Sequence, residues 1–552
     1  MNRLRGGLVG RVLLVGLVWL IAYPLAVVLL ESVRGPGGWT LEYFRQFLGR
    51  TGDWQALWGS LWISLASVLL SAAVGIPLAL LFWRYEFPGR RVLGVLVALP
   101  AVLPPLVGVI AFLFLYGETG FVARLVQALF RLEQAPWRLE GAMAILLVHG
   151  YSMYVYFYLL VRAGLAGLDP AMLEAAASLG AGRARTLRHV ILPLLRPSLA
   201  GASLLTFMTA LASFSAPYIF GGGFRVMTTQ IVTSRLNGDY GTAMVETVTL
   251  TAVALLGLWI IGRSGETTAT AGGMKGTGGG IRLQTSGLTR VAVTTISWLL
   301  VLGLLLPHLT LVLLSFVPIG TWTVETFPPV YRMVNYLALV RDPERLRPLL
   351  NSLWMATAAT VIAVGAAVLA GPLVTRRKSR GGAAIEGLLG LPWVVPGTVF
   401  AIALATAFSV HQPWLGRVIL IGTPWLLPLA YLVRNLPITS RAILAGFRGL
   451  DPTLDEAAAS LGAGRWRTLR EVTLPLLRPA LSAGAALAFV TALGDFVTSI
   501  VLYTYDTRPL SLEILSSLRQ GDVGVAAAYG VLLMVLSALA FAAGRDRRTV
   551  ET

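Results

Sequence analysis

A reacting centre needs ionisable or nucleophilic side chains at spacings that can converge, and this chain offers few. It has no cysteine, so thiolate metal sites, disulfides and cysteine nucleophiles are excluded. His149, His189, His308 and His411 lie in unrelated segments without the spacing that gathers metal ligands, so neither a stable metal site nor a cofactor is expected. A phosphate-cradling loop would read G-x-x-x-x-G-K-[ST]. The nearest approach, "GGMKGTGGG" from Gly272, has the wrong order, so the chain has no ATP-hydrolysing site of its own. An acid inside an apolar run is costly and is a functional hypothesis by default. Asp495, in "TALGDFVTSI", is the clearest, and its counterpart in the duplicated first half is Ser213, in "TALASFSAPY". One acid where the duplicate has a hydroxyl suggests an asymmetric, cation-tolerant cavity. The plainer alternative is a helix-end aspartate bonded to backbone. His149, paired by the duplication with Tyr431, reads as a packed, hydrogen-bonded residue.

The strongest signal is polar and repeated. "LDPAMLEAAASLGAGRARTLRHVILPLLRPSLA", from Leu168, recurs as "LDPTLDEAAASLGAGRWRTLREVTLPLLRPALS", from Leu450, with 25 of 33 positions identical. The apolar stretches 60–83 and 352–375 share only 5 of 24. Membrane helices need only be apolar and pack, so a polar passage held this constant points to two identical external sockets. Asp169 and Pro170 start a short helix carrying Met172, Leu173, Ala176 and Leu179, and Gly180 with Gly182 ends it. A second helix, "RARTLRHVIL", is expected to stop before Pro193. Asp451, Pro452, Gly462, Gly464 and Pro475 repeat these devices. The Ala-rich faces (Ala175, Ala176 and Ala177; Ala457, Ala458 and Ala459) let a partner approach closely, and Glu174 or Glu456 offers a directional charged contact. An amphipathic helix resting on lipid headgroups is the competing reading. It does not account for two near-identical copies.

The elements that position these loops are membrane spans. With 552 residues, 56% hydrophobic and 13% charged, the chain has more apolar surface than one globular core can hide. Apolar runs at 8–30, 57–83, 92–116, 142–161, 199–220 and 243–262, then at 291–316, 350–374, 384–410, 418–433, 481–503 and 523–543, predict twelve spans near the ~20 residues that cross the hydrocarbon. The run at 418–433 is the weakest, being short and holding Pro424 and Pro428. Residues 8–30 read as a first span rather than a cleavable signal, because the run exceeds a signal core and no A-x-A site follows. The net charge of +18 reads as positive-inside bias rather than as a nucleic-acid footprint. Basic residues cluster in alternate loops: Arg3 and Arg5; Arg84, Arg90 and Arg91; Arg183, Arg185 and Arg188; Arg263 and Lys275; Arg376, Arg377, Lys378 and Arg380; Arg545, Arg547 and Arg548. Both termini are therefore expected in the cytoplasm.

A Gly, Thr and Ser-rich segment, 263–290, reads as a flexible cytoplasmic linker. It separates a first half, 1–262, from a second, 291–552. "SLW" at 60–62 recurs at 352–354, and Pro100 and Pro104 recur as Pro392 and Pro396, so the halves are tandem copies of a six-span unit in one orientation.

These passages resemble the EAA loop of permease subunits of bacterial ATP-binding-cassette (ABC) importers, E-A-A-x-x-x-G followed by a hydrophobic residue and L-P. The resemblance covers essentially the whole chain, with one loop per half at about 165–197 and 447–479. The duplicated form is similar to the ferric-iron, thiamine and aminoethylphosphonate branch. It implies an all-α membrane protein of about twelve transmembrane helices, built as two tandem six-helix type I importer units in the bacterial cytoplasmic (inner) membrane. It further implies a homodimeric ABC ATPase on the cytoplasmic side and a periplasmic or lipid-anchored substrate-binding protein outside. By residue, it places Glu174, Ala175, Ala176 and Gly180, with Glu456, Ala457, Ala458 and Gly462, against the ATPase. The cargo it suggests is a small polar solute, first ferric iron, with thiamine, aminoethylphosphonate and polyamines behind it. A twelve-span secondary transporter is the rival from another class. Such a carrier has no need of two near-identical cytoplasmic loops, and a channel would need a pore ring that nothing here supplies.

Overall fold

The computed structural model describes residues 2–101, 104–269, 283–284, 287–322, 325–375, 379–409, 418–451 and 453–544. Apart from two pairings of two-residue strands, the regular structure among them is helical. Eight helical stretches of 22 to 34 residues are long and apolar enough to cross a membrane: Leu8–Glu31, Thr51–Arg84, Pro105–Phe130 (two helices, Pro105–Tyr116 and Phe121–Phe130), Gly141–Ala166, Tyr240–Ile261, Gly287–Leu314, Pro343–Thr375 and Val523–Gly544. Three bent helix pairs are also apolar and long enough when each pair is taken together, Ala184–Leu194 with Arg196–Leu211, Arg380–Trp393 with Gly397–Ala407, and Trp466–Leu476 with Arg478–Leu493. Helix Leu426–Gly449, as long as several of these, is diluted in apolarity by Arg434, Arg441 and Arg448. It lies along Pro343–Thr375 as Gly141–Ala166 lies along Thr51–Arg84.

Several spans differ from the simple apolar runs. The expected third span, 92–116, is broken into Arg90–Leu96, a 3-10 turn at Leu99–Ala101 and Pro105–Tyr116. The expected ninth, 384–410, is bent by 111° between Arg380–Trp393 and Gly397–Ala407. Prolines cause both breaks: Pro104 and Pro396 sit in extended backbone (ψ 132° and 145°) ahead of the second helix. They interrupt the amide ladder where their ring would clash with a continuing helix. The tenth span is not 418–433 but Leu426–Gly449. Pro428 falls in its first turn, where an amide is not needed. The expected fifth and eleventh spans stop early, at Leu211 and Leu493, and resume as the short helices Ser215–Phe220 and Val497–Leu502. Helix Tyr240–Ala269 enters the segment read as linker and the next helix starts at Gly287; residues 270–282 and 285–286 of that segment lie outside the described residues.

The two halves are interlocked. Helix Tyr23–Glu31 of the first half packs against Gly397–Ala407 of the second, and Gly287–Leu314 packs against Pro105–Tyr116 of the first. Trp19 and Tyr23 meet Phe408 at ring distances of 4.9 and 6.1 Å. On the opposite side the Tyr151 hydroxyl donates to the Leu304 carbonyl (3.0 Å) and bonds His308 Nδ1 (2.9 Å). One apolar core consequently runs through both halves, from Leu20 and Ile21 to Tyr529 and Leu533.

Candidate functional site

Each repeated loop is a capped helix, a left-handed turn and a long arm. In the first, Asp169 Oδ1 accepts the Ala171 amide (2.9 Å), and helix Pro170–Ser178 begins on its proline. It ends when the amides of Gly180 and Ala181 return to the carbonyls of Ala177 (2.9 Å) and Ala176 (3.0 Å). That closure needs a positive φ, which Gly180 supplies at +74° and only glycine adopts without strain. The second copy is the same device. Asp451 Oδ1 accepts the Thr453 amide (2.9 Å), Gly462 has φ +79°, and the amides of Gly462 and Ala463 reach Ala459 (3.0 Å) and Ala458 (2.9 Å).

Glu174, Ala175 and Gly180, like Glu456, Ala457 and Gly462, are exposed on one face of each loop. Ala176 and Ala458 are buried on the opposite face and seat the helix on the arm behind it. Sequence reasoning treated Leu179 as one of the apolar positions of the first loop helix and did not single out its duplicate, Leu461. They are 86% and 89% exposed. Full burial of a leucine is worth about 2 kcal/mol, so each is an unused anchor at the exposed end of the loop helix. Their signal was available: a leucine directly before the left-handed glycine in both copies. Trp466, 74% exposed where the first copy has Ala184, is the main difference between the faces.

The arm does not stop before Pro193, as its proline suggested. It continues from Arg183 through Leu194, and the turn ahead of the proline widens to a π-helix at Leu187–Ile191. The Leu192 amide bonds the Leu187 carbonyl, five residues back, and this wider turn leaves room for a residue that has no amide to give. In the second copy Leu474 bonds Leu469 in the same way before Pro475. Each arm then turns, by 67° and 73°, into Arg196–Leu211 and Arg478–Leu493.

Those helices end at the seam between the halves, where Ser213 and Asp495 lie. Ser213 Oγ bonds His149 Nε2 (2.9 Å), whose Nδ1 bonds Ser67 Oγ (2.8 Å), so the first half has a hydroxyl–imidazole–hydroxyl chain here. Asp495 Oδ2 accepts from Arg434 (2.6 Å), and Oδ1 accepts both the amide (2.9 Å) and the hydroxyl (2.6 Å) of Thr498. Its side chain is 2% exposed. Its charge is thus matched within the chain and its second oxygen caps helix Val497–Leu502, an arrangement closer to the helix-end aspartate than to a free acid facing a cationic cargo. Beside it, Phe214 stacks on Tyr218 (5.2 Å) and meets Phe496 (5.8 Å), and Arg519 donates to the Tyr218 hydroxyl (2.5 Å) across the seam. Arg235 reaches the other way, to Thr406 (3.5 Å). Sequence reasoning missed Arg434 because the apolar run stops one residue short of it. Among the described residues no three His, Asp or Glu side chains converge to hold a metal ion.

Comparison with known proteins fits the duplication. A family described as binding-protein-dependent transport system inner membrane component matches twice, over residues 71–264 and 359–545, one repeated loop in each match. The chain is 30% identical over 488 residues to a probable ABC transporter permease protein of Sinorhizobium fredii, covering 87% of this chain and 85% of that one. It is 28% identical over 548 residues to a ferric transport system permease protein of Actinobacillus pleuropneumoniae (96% and 76% covered). It is also 28% identical over 508 residues to the thiamine transport system permease protein of Escherichia coli K12 (88% and 89%).

Proposed function

Because the chain belongs to the binding-protein-dependent transport system inner membrane component family, as a duplicated multi-pass permease of an ABC importer, we propose that it conducts a solute handed over by an external binding protein. ATP hydrolysis by two copies of one cytoplasmic ATPase drives the passage. The observation that carries this reading is the pair of loops. Two faces with the same cap, the same left-handed glycine, the same exposed glutamate and the same exposed leucine suit two identical partners. The chain has no nucleotide-binding motif, so the energy has to come from those partners. Glu174, Ala175, Leu179 and Gly180, with Glu456, Ala457, Leu461 and Gly462, form the docking faces; Ala176 and Ala458, expected among them, are buried and hold each helix against its arm instead. Both loops and both termini lie in the cytoplasm, in keeping with the placement of the basic residues.

The cargo proposed is ferric iron. Support comes from a relative named for ferric transport that aligns with 96% of this chain. Ser213 and Asp495 mark the seam through which cargo passes; Asp495, matched by Arg434, keeps the seam in register rather than attracting cations by an open charge. A relative named for thiamine transport supplies the second reading.

Reconstitution tests both levels. Proteoliposomes containing this chain, its cognate ABC ATPase subunit and a ferric-iron-binding protein are expected to take up labelled ferric iron only when ATP is supplied. Gradient-driven uptake by the chain alone would sink the importer reading. Uptake of labelled thiamine in place of iron would replace the cargo and leave the class intact.

A further inference from the structure

Two short helices hold corresponding places at the seam, Met227–Leu236 in the first half and Leu510–Arg519 in the second. Each is tied at its start to the break in the span before it: Thr228 donates to the Ser213 carbonyl (2.7 Å) and Ser511 to the Asp495 carbonyl (2.8 Å). Ser60 and Ser352 repeat the match by accepting the amides of Met227 and Leu510 (2.8 and 2.7 Å). From these ties the helices run about 10–12 Å, at 1.5 Å per residue, away from the repeated loops to a last turn that carries one arginine, Arg235 or Arg519. The residue that corresponds to Arg519 is Leu236, beside Arg235. Both arginines cross the seam to neutral groups. Arg519 donates to the Tyr218 hydroxyl (2.5 Å) and lies over its ring (5.6 Å), and Arg235 reaches Thr406 (3.5 Å) and the ring of Tyr240 (5.9 Å). Among the described residues neither has a carboxylate partner. The acids beside them in the chain pair elsewhere: Asp239 with Arg50, Glu513 with Arg508 and Asp522 with Arg345. Asp495 is matched by Arg434, so the seam keeps two positive charges that the protein does not neutralise.

An arginine without a counter-charge is costly against hydrocarbon and is kept where it faces water or the path of a solute. Arg519 is exposed, and Leu236, at the matching position, is 80% exposed. Unmatched positive charge between low-dielectric walls repels a cation at entry and draws an anion in. A guanidinium also presents a planar fork of donors that fits carboxylate and phosphate oxygens. Resting on the reading of the seam as the passage, we propose that Arg235 and Arg519 make its outer mouth selective for anionic solutes. Ferric iron then enters as a complex whose carboxylate or phosphate ligands leave it negatively charged. A cation of the thiamine kind is disfavoured at the same place.

The chain has no cysteine, so the charge can be measured without the cargo. In the full chain in lipid nanodiscs, Leu236→Cys places a single thiol at the position that matches Arg519. Its rate with a negatively charged thiosulfonate reagent is compared with its rate with a positively charged one, each divided by the rate of a free thiol in solution. The anionic reagent is expected to be favoured about tenfold. Adding Arg235→Gln and Arg519→Gln is expected to bring the ratio close to one, and Arg235→Lys with Arg519→Lys to preserve it. A ratio at or below one before the arginines are changed overturns the proposal, as does a ratio that the Gln pair leaves unaltered or a thiol that neither reagent reaches. Uptake supplies a second measurement. In proteoliposomes with the ATPase subunit and a ferric-iron-binding protein, labelled ferric iron held in excess citrate is expected to enter about tenfold more slowly through the Gln pair while ATP hydrolysis persists. Faster entry would mark a cationic solute and overturn the proposal. Uptake without ATP dependence in the unaltered chain would count against the importer reading instead, and the thiol ratio would still decide the charge of the mouth.

Discussion

Phe214 and Phe496 hold the same place in the two halves, and their rings meet each other at 5.8 Å. Residues related by an internal duplication touch only near the axis that relates the copies, so this pair marks that axis. It lies at the far tips of Arg196–Leu211 and Arg478–Leu493 from the repeated loops. On the proposed function, a passage between the halves would open here.

The chain has no cysteine, so Phe214→Cys with Phe496→Cys creates the only thiol pair in the molecule. A short bifunctional thiol reagent is expected to join them and to stop uptake in proteoliposomes, with either single variant left active after the same treatment. Full transport by the joined protein would move the passage elsewhere.

Leu179 and Leu461 make almost no contact within the chain, so Leu179→Asp and Leu461→Asp are expected to leave its melting midpoint unchanged. Each is expected to reduce recovery of the ATPase in pull-down about tenfold, which corresponds to ~1.4 kcal/mol of lost docking. Glu174→Lys and Glu456→Lys are expected to match each other in the same assay. Strongly unequal losses would mean that the two sockets are not alike.

Asp495→Asn leaves Arg434 in the seam without its counter-charge. Breaking a buried pair from one side costs about 3 kcal/mol, most of it the stranded partner. The variant is expected to melt well below wild type, and Asp495→Asn combined with Arg434→Gln is expected to recover part of the loss. Equal midpoints for the single and double variants would show that the two residues are not coupled.

Gly371 and Gly365 share the helix Pro343–Thr375 but not its surroundings. A methyl group at Gly371 would run into the buried ring of Phe447, whereas the space beside Gly365 is open. Gly371→Ala is expected to destabilise by about 1–3 kcal/mol through overpacking, and Gly365→Ala to gain roughly 0.5–1 kcal/mol of helix propensity. Thermal melts of both variants, with Phe447→Leu added to relieve Gly371→Ala, check the assignment.

The features legible from sequence were those encoded locally. Asp169, Pro170 and Gly180 announce the loop helix because a cap, a first-turn proline and a left-handed glycine act on their immediate neighbours, and the duplication repeats them. The breaks at Pro104 and Pro396 were harder to see, since a proline inside an apolar run kinks, ends or merely bends a helix according to what surrounds it. Arg434 escaped because an apolar window closes at a charge, while the carboxylate that accepts it stands 61 residues later in the chain. The face that Ala176 turns inward is likewise not written in its own short helix, which is alanine on three sides. The crossing of Tyr23–Glu31 onto Gly397–Ala407 depends on two segments that share no pattern at all.

The arm behind each loop has a mechanical consequence. Ala184–Leu194 and Arg196–Leu211 form an elbow fixed at 67°, and the widened turn ahead of Pro193 keeps its short limb continuous. At 1.5 Å per residue the limbs measure about 16 and about 24 Å, the first starting at the repeated loop and the second ending beside Phe214. A stiff elbow pivoting at Leu195 trades force for travel in the ratio of its limbs. A push of ~1 Å at the loop would therefore arrive at the axis as ~1.5 Å of sideways swing, with the mirrored crank at Leu477 adding its own stroke from the other side.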